Sequence, residues 1–200
     1  RVALVAAAVD HAGPARAAQI AHVNHLRPGR PDFPDQVGHH ALAAIWRNHP
    51  VHPPLTPRTA TAQPKIVAAT GDAALSSTPQ DLTSLGGKVL RVDRFTGAGW
   101  PDNPFAASAN PDTRRVYTYG HRNQQGIARH PVDGSIWTGE HGPQGGDEVN
   151  VLRPGANYGW PIITYGEDYS GRPIGDGLTA QSGMEQPLYY WDPVIAPSGL

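Results

Sequence analysis

Two short segments hold the residues best suited to chemistry. Between Glu140 and Asp168 lie five carboxylates, Glu140, Asp147, Glu148, Glu167 and Asp168, with Arg153 the only Lys or Arg among them. Gly-rich turns separate these acids, and turns expose carbonyl oxygens. A hard cation such as Ca2+ takes six to eight oxygens from both kinds of donor, so calcium suits the segment better than zinc, whose thiolate sites are ruled out by the absence of Cys. A solvated acidic loop is the competing reading, because no EF-hand register such as Asp-x-Asp-x-Asp-Gly is present. The second segment, Gly120-His121-Arg122-Asn123-Gln124-Gln125-Gly126, presents a guanidinium and three carboxamides at one turn. An Arg–Asn pair there can grip a planar, carbonyl-rich ligand with charge-assisted bonds; ordinary loop capping is the alternative. His121, His130 and His141 recur at intervals of nine and eleven, which match no metal-ligand spacing on one element, so a structural role is expected for them.

These segments need a scaffold of short strands. Lys65–Gly71, Lys88–Asp93 and Arg115–Gly120 are rich in Val, Ile, Leu or Tyr and are bounded by Gly, Pro, Asp and Asn. Ile127–His130 and Ser135–Gly139 flank Pro131-Val132-Asp133-Gly134, where Asp-Gly can take the positive φ angles of a tight hairpin. Asp147–Leu152 makes a further strand before Pro154-Gly155. No long amphipathic helix is visible. The pattern predicts an all-β class with the strand spacing of a sandwich, barrel or propeller, and does not choose among them.

Residues 1–64 are of another character. They hold seven of the ten His but only three of the 23 Gly, and neither Tyr nor Lys. Six Arg against three acids give this part a charge of +3, and the remainder carries −4. Val2 to Leu26 reads as two short Ala-rich helices broken at Pro14, while Arg27 to Pro64 has neither helical nor strand period and is expected to be poorly ordered. The net charge of −1 provides no basic field for nucleic acid or an anionic membrane. The longest apolar stretch, Val2 to Val9, is too short to span a bilayer. Arg1 followed by that stretch faintly matches the end of a signal peptide, without a convincing cleavage site.

Taken in order, three motifs resemble the soluble PQQ-dependent sugar dehydrogenases, quinoproteins that use pyrroloquinoline quinone (PQQ) and calcium. They are the 120–126 turn, Gly139-Glu140-His141-Gly142-Pro143-Gln144-Gly145-Gly146-Asp147-Glu148-Val149-Asn150, and Gly155-Ala156-Asn157-Tyr158-Gly159-Trp160-Pro161. Gly87-Lys88-Val89-Leu90-Arg91, Asp102-Asn103-Pro104-Phe105 and Gln186-Pro187-Leu188-Tyr189-Tyr190-Trp191 are also similar to that family. The resemblance covers residues 65–200 and implies a six-bladed β-propeller, of which this stretch would hold about three blades, preceded by a poorly ordered or short-helical segment. It implies that Arg122 and Asn123 contact PQQ, with Tyr169 close to it. It further implies that the carbonyls of Gly142 and Pro143 hold the calcium that sits on the cofactor, and that Glu148, the Tyr158 carbonyl and Asp168 hold a second calcium.

In such enzymes a histidine takes the proton of the sugar's C1 hydroxyl while hydride passes to PQQ, and an aspartate orients that histidine. Asp72 matches the orienting acid. The base is expected 19 residues upstream, which is Pro53; His52 is adjacent but lacks the His-x-Gly-Gly-Arg context, and His25 is a weaker candidate. A frame-shifted reading of a GC-rich gene over residues 1–64 would account for both the missing base and the change in composition, and a divergent insertion is the alternative. The resemblance thus implies part of an aldose dehydrogenase, periplasmic or secreted, that converts a sugar to its lactone and is inactive if the base is truly missing. It leaves room for a homodimer, with neither nucleic acid nor a membrane span. A non-enzymatic, calcium-stabilised propeller that keeps the motifs as scaffold is the rival reading.

Overall fold

The computed structural model describes residues 4–9 and 65–200. It contains eight strands: β1 Leu4–Val9, β2 Lys65–Thr70, β3 Lys88–Asp93, β4 Val116–Tyr119, β5 Gln124–Arg129, β6 Ile136–Glu140, β7 Asp147–Leu152 and β8 Tyr189–Trp191. They form two four-stranded antiparallel sheets in sequential order, β1-β2-β3-β4 and β5-β6-β7-β8. The only helical element among the described residues is a 3-10 turn at Thr113–Arg115. The class is therefore all-β, built from the meander sheets that make propeller blades.

One point differs from the reading of the sequence. Leu4–Val9, expected as helix, is a strand paired along its whole length with β2, from Leu4 against Thr70 to Val9 against Lys65. Ala has the highest helix propensity, but a strand partner of matching length overrides it. Among the described residues the strands make two sheets, and the long connections 94–115 and 159–188 are mostly turns and isolated bridges.

Strand alternation builds the core. Val67 and Ala69 of β2, Val89 of β3 and Tyr117 of β4 pack with Ile127 of β5, Leu152 of β7 and Tyr158, sealing the sheets against each other. The alternate positions Leu90, Val92 and Val116 face the other way, beneath Leu82, Leu85 and Phe105. Each buried branched or aromatic side chain in such a layer contributes about 1.5–3 kcal/mol. Two register irregularities interrupt the ladders, between Val89 and Leu90 and between Gln124 and Gly126. The second re-aims the chain just after Arg122 and Asn123, as bulges beside functional sites commonly do.

Candidate functional site

The turn from β4 to β5 begins at Gly120, whose φ of +76° is reached at low cost only by Gly. Its amide donates to Pro79 O at 3.0 Å and its carbonyl accepts from Trp160 N at 2.9 Å, so the turn is fixed between two distant loops. His121 is fully buried beneath it. Its Nδ1 meets Glu140 Oε2 at 3.0 Å, its Nε2 meets Thr118 Oγ1 at 2.9 Å, and its ring stacks on Tyr158 at 4.7 Å. The other oxygen of Glu140 accepts the Arg122 backbone N–H. Strand alternation puts Thr138 and Glu140 on one face of β6, so the carboxylate reaches under the turn.

Arg122 thereby points out with its guanidinium in a defined place. Nη1 donates to the carbonyls of His141 at 3.0 Å and Gly142 at 2.8 Å, and Nη2 donates to the Tyr169 hydroxyl at 3.2 Å. The guanidinium carbon lies 5.4 Å from the Trp160 ring centre, a cation–π distance. Trp160 in turn donates its indole N–H to Asp72 Oδ2 at 2.9 Å, and the Asp72 amide donates to Arg122 O at 2.8 Å. Arg122, Tyr169, Gly142 and Asp72, singled out separately from the sequence, are thus joined around one indole.

Asn123 follows on the same turn, where its side-chain oxygen accepts from Gln125 Nε2 at 2.8 Å and its carbonyl from the His141 amide at 2.9 Å. A small cavity is lined by Arg122, Glu140, Gly142, Glu148, Tyr158 and Trp160. A more open cleft of about 550 Å³, bounded by Gln144, Tyr165, Glu167 and Asp192, adjoins it, and Thr164 lines both. Pro143 is buried next to this loop.

The acids divide by role. Asp147 is buried and accepts three backbone N–H groups, from Gly142 at 2.8 Å and from Ile195 and Ala196 at 2.7 Å each, so it pins the Gly142 turn to the chain near its end. Glu148 stands opposite Glu140 in the β6–β7 ladder. Burial, then the like charges of Glu140 and Asp147, push its carboxyl up to about 8, against a single hydrogen bond from Asn150 at 3.1 Å. Nearby, Thr138 Oγ1, Asn150 Oδ1 and both amide atoms of Gln124 are buried without partners. Glu148 and Tyr158 share the cavity, whereas Asp168 does not line it. Asp168 is exposed and caps its own turn through the Ser170 hydroxyl and amide, bonds that hold its carboxyl below the usual range. Among the described residues no three His, Asp or Glu side chains are grouped to hold a metal, so a cation here would require carbonyl oxygens. His52, like His25 and Pro53, lies outside the described residues.

Sequence reasoning missed Trp160 as a site residue and counted Glu140 only among the acids suited to a cation, not as the anchor of the Arg122 turn. The signal for Glu140 was present in the two-residue alternation of β6; nothing local marks Trp160, whose contacts come from 38 and 88 positions away.

A family model described as Glucose / Sorbosone dehydrogenase matches residues 41–200. The chain belongs to that family. The match begins ahead of Lys65, where the composition changes. Aldose sugar dehydrogenase YliI of Escherichia coli strain K12 is 41% identical over 136 residues, which is 68% of this chain and 36% of that protein. Quinoprotein glucose dehydrogenase B of Acinetobacter calcoaceticus is 44% identical over 85 residues, 42% of this chain and 17% of that protein. The crystal structure of the soluble E. coli aldose sugar dehydrogenase in its apo form is similar with a TM-score of 0.62 and 39% identity, covering 68% of this chain and 39% of that one. This member of the glucose/sorbosone dehydrogenase family therefore spans well under half the length of these relatives. No helix among its described residues is long and apolar enough to cross a membrane.

Proposed function

We propose that this chain supplies part of the cofactor shell of a PQQ- and calcium-dependent aldose dehydrogenase, periplasmic or secreted, which oxidises the C1 hydroxyl of a sugar to a lactone. The observation that carries the reading is the convergence on Trp160 of Arg122, Asp72 and, through Arg122, Tyr169 and Gly142. The family match and the name of the quinoprotein relative support the cofactor.

The residues fit both groups. A planar anion with several carbonyls finds in Arg122 a fork already aligned by two carbonyls and a phenol, over an indole face. A divalent cation would offset the burial and the like charges that push Glu148 up, and the partnerless Thr138, Asn150 and Gln124 atoms mark the same sheet face as short of polar contacts. The Gly142 and Pro143 carbonyls would serve the cofactor's ion, and Glu148, with the Tyr158 carbonyl, the second one; Asp168 would have to leave its own turn to join. When bound, PQQ and Ca2+ supply a polarised quinone able to accept hydride.

The protein's own contribution is positional. Glu140 and His121 fix the Arg122 backbone, so the guanidinium needs little reorganisation to meet negative charge. Asp72, held by the indole N–H and the Ala74 amide, keeps a carboxylate beside the site where it could orient an imidazole such as His52. The adjoining cleft is wide enough for a monosaccharide.

Protein supplied with PQQ and Ca2+ should reduce an artificial dye with a free aldose but not with its methyl glycoside, which has no C1 hydroxyl. Equal rates with both would overturn C1 oxidation. A melting temperature that responds to Ca2+ and not to PQQ would favour the non-enzymatic propeller instead.

A further inference from the structure

Behind the site, away from its polar face, lies a lysine in an unusual place. Lys88, at the start of β3, is fully buried. An ammonium has three N–H donors and no acceptor, and here each donor meets a main-chain carbonyl: Thr78 at 2.6 Å, Gly86 at 2.7 Å and Pro79 at 3.1 Å. Among the described residues no carboxylate pairs with it. Asp81, seven residues earlier, turns its Oδ1 to the Thr83 amide and hydroxyl at 2.8 and 2.7 Å, and Asp93, at the far end of β3, turns its Oδ1 to the Phe95 and Thr96 amides. Burying an unpaired cation is costly, and a strand start needs no such group, so the position calls for an explanation.

The carbonyls that Lys88 holds lead directly into the site. Pro79 O is shared with the amide of Gly120, the residue that opens the Arg122 turn. The next residue, Gln80, exchanges amide bonds with Asn157 at 3.0 and 2.8 Å and donates to Trp160 O at 2.8 Å. On the other side, Gly87 O accepts the amide of His121, and the Thr78 hydroxyl donates to Asp72 O at 3.1 Å. We infer that Lys88 is a positioning residue for the cofactor site: its ammonium clamps the 78–80 turn, and through Gly120 and Trp160 sets the placement of Arg122. The inference rests on the proposed PQQ reading.

Two consequences separate this from a purely structural role. Burial lowers the Lys88 pKa to about 8, so a folded chain loses this proton before an unfolded one does. By linkage, Lys88 then favours folding as pH rises from about 8 towards 10.5. The neutral amine, however, has only two donors for three carbonyls, so the clamp loosens over the same interval. Other titratable groups near the clamp are Asp81 and Asp72 in its own loop, Tyr119 opposite in β4 and His121 below the turn.

The test is a PQQ titration of the whole chain in excess Ca2+, followed by tryptophan fluorescence, for wild type, Lys88→Met and Asp81→Asn. We expect Lys88→Met to weaken PQQ binding about tenfold or more while Asp81→Asn binds as wild type does. Wild-type binding should weaken about threefold between pH 7 and pH 9.5 as its melting temperature holds or rises. Unaltered affinity in a folded Lys88→Met protein overturns the clamp alone, whereas failure of wild type to bind PQQ overturns the cofactor reading and the clamp with it. Should Lys88→Met not fold, the wild-type pH series decides: affinity that stays flat over that interval contradicts the inference.

Discussion

Arg122 and Glu148 show how far single residues can be read before a fold is known. A guanidinium beside a carboxamide in a Gly-bounded turn leaves two readings, a planar carbonyl-rich ligand or loop capping, and in the structure Arg122 bonds two loop carbonyls and a phenol. Glu148, one of the five acids that the sequence offers to a cation, is disturbed first by its burial and then by its acidic neighbours. Because its folded pKa is raised, its contribution to stability is full below the unfolded value near 4.5 and is lost as pH rises through about 8. Metal-free protein should therefore lose melting temperature between pH 5 and pH 8, the loss should shrink in Glu148→Gln, and Ca2+ should stabilise more at pH 8 than at pH 5.5. A scan of melting temperature against pH in chelator and in Ca2+ checks this; an unchanged slope in Glu148→Gln would refute it. Asp147 and Asp168 were not legible in the same way. One spends both oxygens on backbone amides and the other caps its own turn, and spacing along a chain does not say which way a carboxylate faces.

At the level of elements, the strands from Lys65 onward were visible because period-two patterns between turn residues reflect two-sided packing directly. Leu4–Val9 was misread because its six residues carry a helix former's composition and acquire their strand state only from β2, about sixty residues away. The turn at Gly120 depends on both kinds of information. Its positive φ could be suspected from Gly alone, but the crowding is tertiary: a Cβ there would run into Asn157 Oδ1 and Gly159 N. Gly120→Ala should accordingly cost about 2 kcal/mol or more, combining strained backbone with that clash. Urea denaturation followed by circular dichroism measures it, and a cost below about 0.5 kcal/mol would mean the turn is softer than its contacts imply.

Among the described residues, two meander sheets face each other across one apolar layer, and the groups around Arg122 and Trp160 gather at one end of that layer where β5, β6 and the 158–160 turn meet. The outer strand β8 leaves Tyr189 and Tyr190 exposed, as is Leu188 just before it, an edge of the kind that other chain segments cover. The aggregate order of motifs made the propeller family legible, because each motif sits at a turn that the strands of one family fold must share. Calorimetric titration of PQQ into the folded chain, in Ca2+ and in chelator, tests the central claim most directly. The account predicts one-site binding that requires Ca2+ and disappears in Arg122→Ala; absence of binding by well-folded wild type, or binding that survives Arg122→Ala unchanged, would contradict it.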